Sequence, residues 1–229
     1  PLARVWMHNG MLNMDREKMS KSIGNIVTVR ELLDAGWQGE TIRWALLSAH
    51  YRAPLDWSDD SLRQAQASLD RLYGALDRLK GVSSAQVEVP EQFVAALADD
   101  INTPKAFAEI AALTTAANIA NGETEQALAK GRLLAAGGLL GVLKEDPEAW
   151  LKTPRPPVAH ELSMRGVQTS YATAALEISN PEIDTLVTER VAARAAKNWA
   201  EADRIRDALA EKGVEVMDGP RGSTWRRKG

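Results

Sequence analysis

Lys18-Met19-Ser20-Lys21-Ser22, followed by Ile23-Gly24-Asn25, is a short polar stretch whose residue types suit a clamp on phosphates better than the wall of a core. Two lysines three apart are compact, hydrated point charges with rotatable donors. Two serines add hydroxyls that can reach phosphate oxygens, and Gly24 and Asn25 tolerate the turn that must follow. At average residue frequencies, this pentapeptide arises by chance in a chain of this length on the order of once in ten thousand. A solvated polar loop is the plainer reading, and that rarity weighs against it.

A second constellation lies near the other end. Trp199 follows a basic turn containing Arg194 and Lys197, and Asp203 falls one helical turn later on the same face. Single-stranded RNA loops are read by stacking splayed bases on aromatics and hydrogen-bonding their edges, and carboxylates accept from base amino groups. On residue type alone, Trp199 reads as packing under its own helix turn, because tryptophan usually buries its bulk. Trp225-Arg226-Arg227-Lys228 leaves two readings open: a solubilising charged tail or a salt-dependent phosphate contact. No thiolate metal site can be built from a chain with no Cys. His8, His50 and His160 are too scattered for a metal site and read as structural or surface residues.

The elements that must position these groups are mostly helical. Asn9-Gly10 between Val5-Trp6-Met7 and Met11–Met14 predicts a short hairpin from which the lysine loop leaves. Thr28 and Glu31 have capping-box spacing ahead of Leu32-Leu33, and Gly36 would end that helix. A helix over 40–51 would bury Ile42, Leu46 and Ala49, and Ser58 would cap a long one with Leu62, Ala65, Leu69, Leu72, Leu76 and Leu79 on one face. Helices after Pro90 and from Thr103 carry Phe93, Val94 and Leu97, then Phe107, Ile110, Ala111 and Leu113. A further segment over 124–142 has a soft spot at Gly137-Gly138. Trp37, Trp44 and Trp57 read as packing residues. Thr153-Pro154-Arg155-Pro156-Pro157 reads as a stiff spacer inside a linker over 146–180. Beyond it, one helix presents Leu186, Val187 and Val191, and a second, after Lys197-Asn198, presents Trp199, Ala202, Ile205 and Leu209. A hairpin then turns at Gly219-Pro220. The 229 residues, 45% hydrophobic and 26% charged with a net charge of -3, describe a soluble globular protein with more than one core. No apolar run is long enough to span a membrane, and the lack of Cys fits a reducing compartment.

The pentapeptide resembles the second signature of class I aminoacyl-tRNA synthetases. Its flanks are similar to the cysteinyl-tRNA synthetase family: Trp6-Met7-His8-Asn9-Gly10, Asp15-Arg16-Glu17, Arg43–Arg52, Leu55-Asp56-Trp57-Ser58, Asp99–Pro104 and Asp218–Lys228. The likeness runs almost end to end and is weakest between about residues 144 and 180. It implies a mainly α fold. An antiparallel helical bundle would carry an N-terminal remnant of a Rossmann-like catalytic domain and a small α+β anticodon-binding domain at the C-terminal end. The corresponding divisions are 1–25 (catalytic edge with the loop), 26–57 (stem-contact segment), 58–145 (bundle), 146–180 (linker) and 181–229 (anticodon-binding domain).

The resemblance also implies roles. Lys21 falls on the family's catalytic lysine, which engages phosphate oxygens as a carboxylate attacks the α-phosphate of ATP and pyrophosphate departs. Lys18, Met19, Ser20 and Ser22 complete the ATP-binding loop, Met19 as an apolar anchor. Arg194, Trp199, Asp203 and Asp218 match anticodon-reading positions, which reverses the plain reading of Trp199, and Arg30, Arg43 and Arg52 lie in the stem-contacting region. The implied partners are tRNA(Cys), cysteine and ATP with Mg2+, in a cytoplasmic monomer. The family's zinc ligands and HIGH motif lie upstream of anything present here, so the sequence is expected to be the C-terminal portion of a longer protein and inactive by itself. Two other readings compete: a cysteine ligase of mycothiol synthesis, which lacks the anticodon-binding domain, and a non-catalytic tRNA-binding module, which needs no phosphate clamp.

Overall fold

The computed structural model describes residues 3–14, 17–20, 26–156, 179–219 and 222–227. At the N-terminal end, β1 (Leu12–Met14) pairs antiparallel with β2 (Glu17–Lys18) and parallel with β3 (Leu55–Trp57), giving the order β2-β1-β3. Parallel neighbours need a long crossover, here supplied by α1 (Val29–Asp34) and α2 (Gly39–Leu47). The expected hairpin about Asn9-Gly10 does not form. Gly10 instead meets the segment before β3: its N–H donates to Tyr51 O at 2.7 Å, and a Cβ there would lie 2.0 Å from Ala53 O. That close approach requires glycine.

Both halves of the Thr28–Glu31 capping box are made, with Glu31 N–H donating to Thr28 Oγ1 (3.2 Å) and Thr28 N–H to Glu31 Oε2 (2.7 Å). Gly36 follows the helix at φ +92°. In α2 the buried residues are Thr41, Ile42, Trp44 and Ala45. Leu46 is exposed and Ala49 lies past the helix end, so the stripe is rotated from the expected one. The stacking of Trp44 on Phe107, centroids 4.0 Å apart, favours that rotation.

The centre of the main core is α3 (Asp59–Arg78), capped by Ser58, with every expected leucine from Leu62 to Leu79 buried. Around it lie α4 (Glu91–Ala98), α5 (Thr103–Ile119), α6 (Glu123–Leu140) and α7 (Pro147–Lys152). Helices α2, α5 and α7 pack on α3, while α4 and α6 pack on α5. In α4, Phe93 and Ala96 are buried and Val94 is exposed. Gly137 is no soft spot: a Cβ there would lie 2.6 Å from Leu143 Cδ1, because the chain folds back with Val142 N–H on Gly137 O. Gly141 makes that reversal at φ +75°, as in a Schellman ending.

Six residues of the stretch expected to be linker form α7, with Trp150 and Leu151 in the main core. Arg155, expected in a stiff spacer outside the core, pairs with Asp70 at 2.8 Å. Residues 157–178, including His160, lie outside the described residues. A second core follows, built by α8 (Asn180–Ala195), α9 (Trp199–Glu211), β4 (Val214–Gly219) and β5 (Gly222–Arg227) around Ile183, Val187, Ile205, Leu209, Val214 and Trp225. Strands β4 and β5 form the expected antiparallel hairpin, in register Val216↔Trp225.

A polar clasp ties the segment before β3 to the α4–α5 turn. Asp100 accepts from Tyr51 Oη (2.6 Å), Arg52 Nε (2.7 Å) and Arg52 Nη2 (3.0 Å). Asp100 and Ile101 both hold left-handed backbone, at φ +54° and +53°, a conformation that persists only where surroundings over-determine it. The hydrogen bonds from Arg52 and then Tyr51 depress the Asp100 pKa to about 2. A depressed carboxylate stabilises the fold above its ordinary range, and that contribution disappears as pH falls through the folded value. The stability difference between the native chain and Asp100→Asn is therefore expected to shrink from about pH 4 downward and vanish near pH 2. Denaturant midpoints at a series of pH values measure it. A difference that stays constant with pH would remove the clasp from the account.

Candidate nucleic-acid interface

Strand β2 delivers the lysine loop from the edge of the three-stranded sheet. Lys18 pairs with Asn13 across that sheet. Met19 donates its N–H to Leu12 O at 3.1 Å and packs its side chain against the main core. One end of the pentapeptide is thus fixed by a strand and an apolar anchor. Lys21 and Ser22 lie outside the described residues.

The C-terminal constellation gathers on the second core. Trp199 begins α9 and is 58% exposed, so it does not pack under its own turn. The turn before it places Lys197 at φ +57°, and Asn198 caps α9 by accepting from Glu201 N–H. Asp218, at the end of β4, accepts a fork from Arg190 (Nη1 to Oδ1 2.9 Å, Nη2 to Oδ2 3.0 Å) and the Ser223 hydroxyl on Oδ1 (2.6 Å). Arg194, one turn beyond Arg190 on α8, makes an ion pair with Oδ2 at 2.5 Å. These donors, Arg190 first and Ser223 second, hold the Asp218 carboxyl well below the usual carboxylate range. Asp203 is exposed, pairs with Arg206 at 3.3 Å and adds to the negative field that holds the Arg190 cation.

The structure therefore brings Arg194 and Asp218 together and leaves Trp199 and Asp203 on the outer face of α9. The residue missed from sequence is Arg190, which is only 6% exposed. Its signal was available: Ile183, Val187 and Arg190 follow i, i+4, i+7 spacing, so the arginine continues the buried stripe.

Residues 225–227 do not form a free solvated tail, and two of the three turn inward. Trp225 is buried and donates Nε1–H to Asp184 Oδ1 at 2.7 Å. Arg226 pairs across the hairpin with Glu215 at 2.7 Å. Arg227 is buried and donates to Lys152 O (3.3 Å) and Asn180 Oδ1 (3.0 Å). Strand alternation turned Trp225 and Arg227 inward. Of the three arginines near the first helices, Arg52 belongs to the Asp100 clasp, while Arg30 and Arg43 are exposed. Among the described residues no cluster of His, Asp or Glu could hold a metal ion, and no helix is long and apolar enough to cross a membrane.

Comparison with known proteins divides the chain in a consistent way. Residues 1–67 match the tRNA synthetases class I (C) catalytic domain, residues 92–144 the DALR domain, and residues 180–226 the cysteinyl-tRNA ligase anticodon binding domain. The lysine pentapeptide thus falls within the match to a class I synthetase catalytic domain, while the helices of the described residues lie largely in the two matches that follow. Cysteine--tRNA ligases from Parvibaculum lavamentivorans and Hyphomonas neptunium are 50% and 51% identical over 228 and 229 residues, in each case 99% of this chain and 45% of the relative. That of Rhodospirillum rubrum is 48% identical over 225 residues, 98% of this chain and 45% of the relative. The chain is similar to cysteine--tRNA ligases along nearly its whole length, and it spans about half the length of the curated relatives it matches. A solved ternary complex of an Agrobacterium radiobacter LeuRS with tRNA and LeuAMS is 24% identical, with a TM-score of 0.44, and covers 58% of this chain and 20% of that one.

Proposed function

We propose that this chain is the ATP-loop and tRNA-handling part of a cysteine--tRNA ligase, a cytoplasmic monomer. The whole protein activates cysteine with ATP, taken as its magnesium complex, and transfers the cysteine from cysteinyl-adenylate to tRNA(Cys). Lys21 meets the charge that builds on departing pyrophosphate oxygens, and because it engages them more strongly in the transition state it lowers the barrier. Lys18 supplies a second cation, Ser20 and Ser22 shape the loop, and Met19 anchors it. At the other end, Trp199 offers a stacking face to an anticodon base, with Arg194, Asp203 and Asp218 supplying edge contacts. The residues present do not fit a structural zinc of thiolate type, since the chain has no Cys.

The observation that carries the tRNA half of this reading is the exposure of Trp199, in a segment matching an anticodon binding domain. Base–aromatic stacking contributes about 1–3 kcal/mol per base. Trp199→Ala is therefore expected to weaken tRNA(Cys) binding by about 10- to 100-fold, with the thermal midpoint unchanged because the indole is outside the second core. Equilibrium binding and thermal melts of the full-length protein provide the check. Unaltered affinity in a folded variant would exclude Trp199 from the RNA interface.

A further inference from the structure

The Asp218 carboxylate has no spare acceptor. A carboxylate offers about four acceptor positions, and here Oδ1 takes Arg190 Nη1 and Ser223 Oγ, while Oδ2 takes Arg190 Nη2 and contacts Arg194 Nη1. A base amino group can reach it only by displacing one of these donors. The donors are not equivalent. Arg190 is buried and uses a planar two-point fork, whereas the Arg194 side chain is 40% exposed and touches through a single nitrogen. A forked guanidinium fixes orientation as well as charge; a single exposed contact is weak and screened. Ser223 is held within the hairpin, where it pairs directly opposite Asp218.

We propose that Arg190 is a positioning residue that aims Asp218 for base recognition, and that Arg194 is the exchangeable donor. An exocyclic amino group of a splayed RNA base takes the place of Arg194 on Oδ2, and the freed guanidinium turns to an RNA phosphate or base edge. Arg190 remains as the counterion, so Asp218 stays ionised and oriented through the exchange. One contact to Oδ2 is traded for another, and Arg194 gains a new anionic or polar partner. Lysine at position 190 would keep the charge but not the fork. This inference rests on the tRNA reading above.

The experiment uses the full-length protein with transcripts of tRNA(Cys) and of the same tRNA carrying a substituted anticodon, titrated over a range of salt. The native protein is expected to prefer the unsubstituted transcript; equal affinity for both would overturn the tRNA reading itself, and this proposal with it. Given that preference, Arg190→Lys is expected to reduce it at least tenfold while leaving affinity for the substituted transcript unchanged. Arg194→Met is expected to weaken both transcripts and to lower the salt slope by about one. Asp218→Asn, which keeps the side-chain shape, is expected to lose the same preference. The double variant Arg190→Lys with Asp218→Asn should then be no worse than either single change. A folded Arg190→Lys that keeps the native preference, or that weakens both transcripts equally, would overturn the positioning role. Should Arg190→Lys fail to fold, Ser223→Ala supplies the same test from the surface of the hairpin. There a loosened carboxylate lowers the preference about threefold, and an unchanged preference overturns the proposal.

Discussion

Lys21→Ala is expected to slow cysteinyl-adenylate formation by about 10²–10³-fold in the full-length protein, the range for removing one preorganised donor from a developing charge. Edge strand β2 holds Lys18 in register with Asn13, and Met19 is tied to Leu12 O and packed on the main core. The pentapeptide therefore starts from a fixed root. In the role proposed for it, Lys21 engages the phosphate oxygens more strongly in the transition state than in the ground state, so the loss should fall on the rate of the chemical step more than on ATP affinity. Lys18→Ala, which removes a supporting cation nearer the strand, should cost less than Lys21→Ala. The measurement is single-turnover adenylate formation at saturating ATP and cysteine, with tRNA binding as the control that should not move. An unchanged single-turnover rate in a folded Lys21→Ala protein would sink the assignment.

Local rules carried much of the fold. The Thr28–Glu31 box, the Ser58 cap and the leucine stripe of α3 all occur where spacing placed them, because each is decided within one or two helical turns. The β4–β5 hairpin is equally local. Errors arose where partners lie far apart in sequence. Parallel pairing of Leu12 with Leu55 cannot be seen in either short strand alone, so Asn9-Gly10 has the composition of a turn while Gly10 serves a close backbone approach. Short helices misled for a related reason. Nine residues of α2 do not fix the phase of a stripe, and the stacking of Trp44 on Phe107 turns Leu46 outward.

In the candidate site, residue types were legible and pairings were not. Trp199 and Asp218 could be chosen from sequence, but nothing local says that Arg190 and Arg194 share one carboxylate across 28 and 24 residues. Arg190 sits on the buried stripe of α8 where Val191 was expected, and Val191 is exposed. The same lesson covers Trp225 and Arg227. A basic C-terminal run suggests solvent or phosphate by composition, whereas pairing with β4 imposes a period of two and turns alternate residues into the protein.

Trp150 shows how an apolar anchor outside both candidate sites can still govern one of them. It is 1% exposed, stacks on Tyr73 with centroids 4.3 Å apart, and donates Nε1–H to Asp70 Oδ1 at 2.8 Å. The same oxygen accepts Gln66 Nε2 and Arg155 Nη2, and Gln66 in turn accepts from Thr41. Tyr73, whose hydroxyl is pushed far above its ordinary pKa by burial and by its bond to Glu40, donates to that carboxylate. Glu40 also accepts the N–H groups of Leu143 and Lys144. One indole thus supports the junction of α2, α3, α6 and α7. Trp150→Ala removes its burial, its stack and one donor, and is expected to destabilise the protein by about 3–5 kcal/mol. Trp150→Phe keeps a ring to stack on Tyr73 but loses the hydrogen bond and part of the indole's volume, so its cost should be smaller, about 1–3 kcal/mol. Denaturant unfolding followed by circular dichroism separates the two, and equal costs would show that the hydrogen bond to Asp70, lost in both variants, outweighs the packing of the ring.

The loss should also travel. Helix α7 carries Lys152, whose carbonyl accepts from Arg227 and whose ammonium lies 5.0 Å over the Trp225 ring. Loosening α7 removes the platform on which β5 rests, and β5 holds Ser223 against Asp218. Under conditions where Trp150→Ala remains folded, tRNA(Cys) affinity is expected to fall although Trp150 lies in the main core, and Trp150→Phe should retain it. Equal tRNA affinity in the folded Trp150→Ala protein would mean that the Asp218 cluster keeps its geometry without the α7 platform.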